Sequence, residues 1–230
     1  MTNIQKYLNK NWFWLAVNLA AFTPLLLLIW RFLNNDLGVN PIDSVTDNTG
    51  KVAIIMLMLS LACTPLNFMF GWRKVMTVRK SLGLHAFMYA GLHFLTFIGL
   101  DFGFNWDLII NDALFNKPYA LAGFGAFLIL LPLALTSTRY WMKRLGRNWK
   151  RLHQAVYVSG ILAVLHFIWL VKFDLTEPLI YATILTFLLL ARVPPIRKFL
   201  RNATSGLRSS GKKSKRPAKK AVASKKVAEA

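Results

Sequence analysis

Four histidines are the residues of this chain whose type and spacing can do chemistry: His85, His93, His153 and His166. Each falls inside an apolar stretch, and none lies in a connecting loop. An ionisable side chain in such a stretch is costly unless it is satisfied, and it marks a pathway or a cofactor. The run RLHQAVYVSGILAVLHFIWL at 151–170 carries two of them, His153 and His166. Their separation is about 20 Å along a helix axis, which places the imidazoles near opposite faces of a hydrocarbon layer about 30 Å thick. One helix offering an imidazole to each half of a membrane suits two stacked haems, or one haem and a second group.

The partners must sit at the same depths. If the run at 152–171 and the run at 82–100 both travel outward, His166 and His93 lie at similar distances from their outer ends. They can then clamp one haem iron from two helices. Imidazole suits iron, and a six-coordinate site with two histidines leaves no position open for substrate, which suits electron transfer. The inner site is less complete. His85 is about 12 Å deeper than His93 and meets His153 only if the helices tilt. Arg79 lies nearer the depth of His153. It can hold a haem propionate through its guanidinium fork, or be an ordinary membrane-edge charge. At about 100° per residue, His153 and His166 do not share a face of an ideal helix. A bend at Gly160, or haems set at different azimuths, would make up the difference.

The elements that must position these side chains are membrane spans. The chain is 55% hydrophobic with mean hydropathy +0.42, too apolar for an ordinary soluble domain. Six apolar stretches are long enough, or nearly so, to cross: 12–30, 52–70, 82–100, 119–135, 152–171 and 179–193. Ser81 is an expected N-cap for the third, and Pro194-Pro195 stops the sixth. The expected fold is an all-α six-span bundle over 1–201, followed by a disordered basic tail at 202–230. The first run is longer than a signal-peptide core and is read as an uncleaved span. Lys and Arg number 29 against 9 acids, for a net charge of +20. The basic residues crowd into 71–80, 137–151 and the tail, while the acids, except Glu229, lie in 32–50, 101–118 and 172–178. By the Lys/Arg bias the N-terminus and the C-terminus are cytoplasmic. The net charge therefore reflects topology and contact with lipid headgroups, and implies no nucleic-acid partner. A single cysteine, Cys63, excludes an intrachain disulfide and a Cys-based cluster. The lack of C-x-x-C-H excludes covalent c-type haem. There is no G-x-G-x-x-G and no P-loop. Two readings of other classes compete: a divalent-metal transporter using the same histidines, although no intramembrane carboxylate accompanies them, and a bare membrane anchor.

The runs VRKSLGLHAFMYAGLH, KPYALAGFGAFLILLPLALTST and LGRNWKRLHQAVYVSGILAVLH resemble the MsrQ (formerly YedZ) family over about residues 10–200. This family is the haem-binding membrane subunit of the periplasmic protein-methionine-sulfoxide reductase system. It is related to the ferric-reductase and NADPH-oxidase transmembrane domains. The resemblance implies a bacterial inner-membrane, multi-pass b-type cytochrome with one or two haems b, an electron-transfer subunit rather than the catalytic one. It implies electrons taken from the quinone pool or a cytoplasmic flavin reductase and passed to a periplasmic molybdenum-containing partner, MsrP. It also implies FMN, for which the chain shows no motif. The family's histidines map to His93, His153 and His166. Related oxidases carry a further histidine where this chain has Arg79, and His85 is not a family histidine.

Overall fold

A computed structural model describes residues 3–114, 116–171 and 173–205, and among them every regular element is helical. Helix α1 (Asn3–Leu33) is followed by α2 (Pro41–Phe70), α3 (Val75–Thr96) and a short α4 (Trp106–Leu108). Then come α5 (Pro118–Leu135), α6 (Arg139–Leu145), α7 (Arg147–Gln154), α8 (Val156–Leu170), α9 (Thr176–Leu190) and α10 (Pro194–Ala203). Five of these segments are long and apolar enough to cross a membrane. The sixth span exists only if α9 is joined to α10, which leaves it at 92°. Large apolar side chains such as Leu19, Leu26, Trp30, Leu121 and Phe187 point outward. That is the pattern expected of helices solvated by lipid rather than water. This is the all-α multi-span bundle that the hydropathy pattern implies.

Several boundaries differ from the sequence-based expectation. Helix α2 begins eleven residues before 52. Asn40 caps it by accepting from the Asp43 N–H, Pro41 opens its first turn, and Asp43 sits at its positive end, as helix starts favour. Helix α3 begins at Val75, not at Ser81. Ser81 is six residues inside, its hydroxyl bonded to the Asn18 side chain of α1, so it is no N-cap. The turn before α3 is closed by Gly71, whose φ of 73° is the left-handed conformation that glycine adopts without a Cβ penalty. The expected bend at Gly160 is absent. The irregularity falls at Ala155, between α7 and α8, while Gly160 is buried in α8 against Leu185. Helix α10 carries the chain past the expected boundary at 201, and 206–230, most of the expected tail, lies outside the described residues.

Prolines inside spans leave backbone groups unpaired, and at Pro24 and Pro65 side chains from other helices reach the break. Pro24 interrupts α1. The Tyr89 hydroxyl of α3 enters the gap, donating to the Ala21 carbonyl at 2.7 Å and accepting from the Leu25 N–H at 3.2 Å. Pro65 has no N–H to offer the Leu61 carbonyl, and Arg192 donates to that carbonyl at 2.7 Å. Elsewhere Ser60 donates to the Arg79 carbonyl and the buried Ser159 to the Ala126 carbonyl. These bonds fix the α2–α3 and α5–α8 pairs, whose packing holds the centre. Tyr89→Phe should lower thermal stability in detergent by about 1 kcal/mol, the scale of interhelical hydrogen bonds in membranes. The loss should shrink when Pro24 is also replaced by Ala. An equal loss in both backgrounds would show that Tyr89 acts by packing alone.

Candidate functional site

The chemistry-bearing residues divide by depth along the bundle. At the acidic end, His93 of α3 and His166 of α8 face each other, with ring centroids 6.0 Å apart and planes at 79°. Each ring is held from behind by a carbonyl. His93 Nδ1 lies 2.9 Å from the Thr46 oxygen of α2, and His166 Nδ1 lies 2.7 Å from the Tyr119 oxygen of α5. A carbonyl only accepts, so both Nδ1 atoms must carry the proton. Each Nε2 is then left with a lone pair, the arrangement that prepares a histidine for a metal. The pair therefore draws on four helices, two for the rings and two for the carbonyls.

Two glycines make room for this. A Cβ at Gly50 would stand 3.0 Å from His93 Nδ1, and one at Gly123 would stand 2.7 Å from His166 Nδ1. Neither distance accommodates a methyl group beside a ring already tied to backbone. In sequence Gly123 is only a glycine within a span, and Thr46, Gly50 and Tyr119 do not stand out at all. The first two fall in a segment that reads as a loop. The signal that would have found them is Asn40-Pro41-x-Asp43, a helix start that carries 46 and 50 onto a helical face.

The rings suit one metal centre that brings its own equatorial ligands. Imidazole–metal bonds are about 2 Å long. With the half-width of each ring, two such bonds span close to the 6.0 Å separation. A bare divalent ion takes three or more protein ligands. Among the described residues no group of three or more His, Cys, Asp or Glu comes together to supply them. A porphyrin supplies four nitrogens itself and asks the protein for two. The donor set fits haem and does not fit a divalent-metal pathway.

At the basic end, His153 bonds only its Nδ1, to the Trp149 carbonyl 3.1 Å away, and its ring stacks on Trp149 at 4.0 Å. Its Nε2 is buried without a partner. The Arg79 guanidinium lies within Coulombic reach of it. His85 does not join this group. Its Nδ1 bonds the Ser81 carbonyl, and its ring stands edge-on to Phe22 of α1, centroids 4.8 Å apart. The tilt that would bring His85 to His153 is not what the helices adopt, because its position on α3 looks toward α1. Of the two candidate inner partners, His85 faces α1, while Arg79 lies within Coulombic reach of His153.

The acidic surface beyond His93 and His166 is partly self-neutralised. Lys117 pairs with Asp112 at 2.7 Å, and this bond raises its ammonium above the ordinary lysine range. Asp174 accepts from Thr176, which holds its carboxyl below the ordinary range. Lys51 pairs with Glu177 at 2.9 Å, tying α2 to the start of α9. A groove of about 540 Å³ between α1 and α2 is lined in part by Tyr89 and by none of the histidines.

Comparison with known proteins gives a family and several relatives. Residues 49–164 match the family described as ferric reductase like transmembrane component. A protein of Xanthomonas axonopodis pv. citri, named protein-methionine-sulfoxide reductase heme-binding subunit MsrQ, is 45% identical over 183 residues, covering 77% of this chain and 84% of that one. A protein of the same name from Rhodospirillum rubrum is 44% identical over 186 residues, covering 80% and 89%. No solved structure matches.

Gly123→Ala should displace His166 and remove most of the bis-imidazole haem spectrum. Gly125→Ala, whose Cβ would meet only Leu162 at 3.5 Å, should keep it. Alanine is the better helix former by about 1 kcal/mol, so a spectral loss confined to Gly123→Ala reports on the ring and not on the helix. Equal spectra in the two variants would refute the cradle.

Proposed function

The chain belongs to the MsrQ family of haem-binding, ferric-reductase-like inner-membrane subunits, and from that premise we propose that it is a transmembrane b-type electron carrier. His93 and His166 would hold one haem between them, and His153 would serve a second, inner one. The observation that carries this reading is the facing pair at 6.0 Å with both Nδ1 atoms committed to carbonyls. When bound, haem supplies a one-electron couple that needs no substrate position. The protein residues do the rest. Thr46 and Tyr119 hold the imidazoles in the tautomer that presents Nε2. Gly50 and Gly123 let the rings approach the neighbouring helices. The apolar side chains of four helices exclude water, which leaves electron transfer as the chemistry this site allows.

Direction follows from the charge pattern. With the basic end in the cytoplasm by the Lys/Arg rule, His153 and Arg79 lie on the entry side and His93 with His166 on the periplasmic side. The acceptor is then a periplasmic, molybdenum-containing methionine sulfoxide reductase of the MsrP kind, and the chain is its electron-supplying subunit in the repair of oxidised proteins. The basic segments α6 and α7, with Arg139, Lys143, Arg144, Arg147, Lys150 and Arg151, suit a cytoplasmic flavin reductase as donor better than a quinol arriving through lipid. FMN, bound by that donor or by this chain, is the flavin such a route uses.

His93→Ala and His166→Ala should each abolish the reducible b-type spectrum of the outer haem. Retention of full haem content in both would refute the assignment. Haem reduction by a flavin reductase should slow severalfold as ionic strength rises toward 0.5 M, where screening acts within about 4 Å, while reduction by a quinol should not. A salt-insensitive flavin reductase rate would remove the basic docking surface.

A further inference from the structure

Helix α10 leaves the end of α9 at 92°, after a Pro194-Pro195 pair that cannot continue the hydrogen-bond ladder of α9. Helix α9 packs along α2 and α8, and α10 touches α2. With α9 crossing the bilayer beside those helices, α10 lies in the membrane plane. Its depth follows from α9, whose 15 residues rise about 22 Å against roughly 30 Å of hydrocarbon. A span that short cannot carry the α9–α10 corner clear of the headgroups. The neighbouring side chains mark the same level. The Arg197 guanidinium of α10 stands 5.4 Å over the ring of Phe68, near the end of α2, and Phe70 packs against Trp72 at 5.5 Å just beyond it. Lys74 stands over the Trp12 ring at 5.3 Å, and Arg144 lies over Tyr140 and Trp141. Trp and Tyr rings gather where membrane meets water, so this end of the bundle carries an aromatic belt.

The sequence of α10, PPIRKFLRNA, divides by face. Ile196, Phe199, Leu200 and Ala203 recur at three and four residues and form one stripe, while Arg197, Lys198, Arg201 and Asn202 form the opposite one. Ile196 and Leu200 are partly covered by the bundle, whereas Phe199 is 70% exposed. Among the described residues none of the three cations pairs with an acid. An in-plane helix with an apolar stripe and a cationic stripe is the form that seats at the boundary of headgroups and acyl chains. The chain beyond α10 adds Lys212, Lys213, Lys215, Arg216, Lys219 and Lys220, and polybasic sequence beside a membrane-bound helix is drawn to anionic headgroups. We propose that α10 is an interfacial anchor, with Phe199 among the acyl chains of the cytoplasmic leaflet and Arg197, Lys198 and Arg201 on the phosphates of anionic phospholipid. The anchor holds the short α9 at its depth, and α9 packs on α8, the helix of His166. It stands whether or not the bundle binds haem.

A nitroxide attached at Phe199→Cys in the full-length chain tests the seat. Cys63, the one native cysteine, is buried, so unmodified protein treated with the same reagent supplies the blank. In vesicles of phosphatidylethanolamine and phosphatidylglycerol, relaxation of this label should respond severalfold more to oxygen, which partitions into lipid, than to a water-soluble nickel chelate. A label at Arg201→Cys, on the opposite stripe, should show the reverse order. If Phe199→Cys folds poorly, Ala203→Cys, exposed on the same apolar stripe, takes its place. A label on the apolar stripe that favours the chelate would overturn the proposal and give the ring to a soluble partner. Dipolar broadening between labels would overturn it in favour of a second copy of this chain. The cationic stripe is tested with spin-labelled phosphatidylglycerol and phosphatidylcholine. The unmodified protein should hold the anionic lipid in preference, and the triple variant Arg197→Gln, Lys198→Gln, Arg201→Gln should hold it severalfold less. Equal preference in the two proteins would remove the anionic-lipid contact from α10.

Discussion

An imidazole inside a bilayer must find partners for both of its nitrogens, and this constraint organises the centre of the bundle. His93 and His166 meet it by giving Nδ1 to backbone carbonyls of neighbouring helices, Thr46 on α2 and Tyr119 in the first turn of α5. The consequence reaches far from the rings. Helix α2 must start early enough to present Thr46, which is why its cap at Asn40 matters. Helices α2 and α5 must come close enough to the rings to need glycine at 50 and 123. The geometry of one histidine pair therefore sets the positions of α2, α3, α5 and α8 together.

The same rule governs the backbone. In lipid an unpaired carbonyl cannot turn to water, so each proline within a span creates a demand. Tyr89 answers for Pro24 and Arg192 for Pro65. Both answers come from helices distant in sequence, so a local break becomes a tertiary tie. Tyr89 is one turn from His93 on α3, and Arg192 stands over the ring of Tyr157, four residues after His153. The patched breaks stand next to the two histidine levels, where straight, featureless helices would leave less room and fewer polar contacts.

The two levels are chemically unequal. The acidic-end pair is symmetric in kind: two imidazoles, two carbonyls, two glycines. The basic end has one imidazole with a free Nε2, a stacked tryptophan and Arg79 within Coulombic reach. A positively charged surrounding favours the reduced, more negative form of a redox centre, whereas the pair near Asp47 and Asp101 sits in the opposite field. On electrostatics alone, the two ends would hold a given haem at different potentials.

Much of this was legible in the chain alone. Hydropathy and proline placement determine a multi-span helical bundle, because a lipid environment admits few alternatives. The Lys/Arg distribution marks its two ends. Four histidines confined to two spans, two of them equidistant from an acidic edge, determine that His93 and His166 meet, because depth in a helix is simply residue count. Azimuth is not. Whether His85 turns to α1 or to His153, whether the rod bends at Ala155 or Gly160, and which carbonyl receives each Nδ1 all depend on how helices rotate against one another. Those rotations are set by contacts between residues tens of positions apart, such as Ser81 with Asn18 and Ser159 with Ala126. Arg192 was invisible for the same reason. In sequence it is one more cation at a membrane edge, and only the folded chain brings it to the carbonyl that Pro65 leaves free.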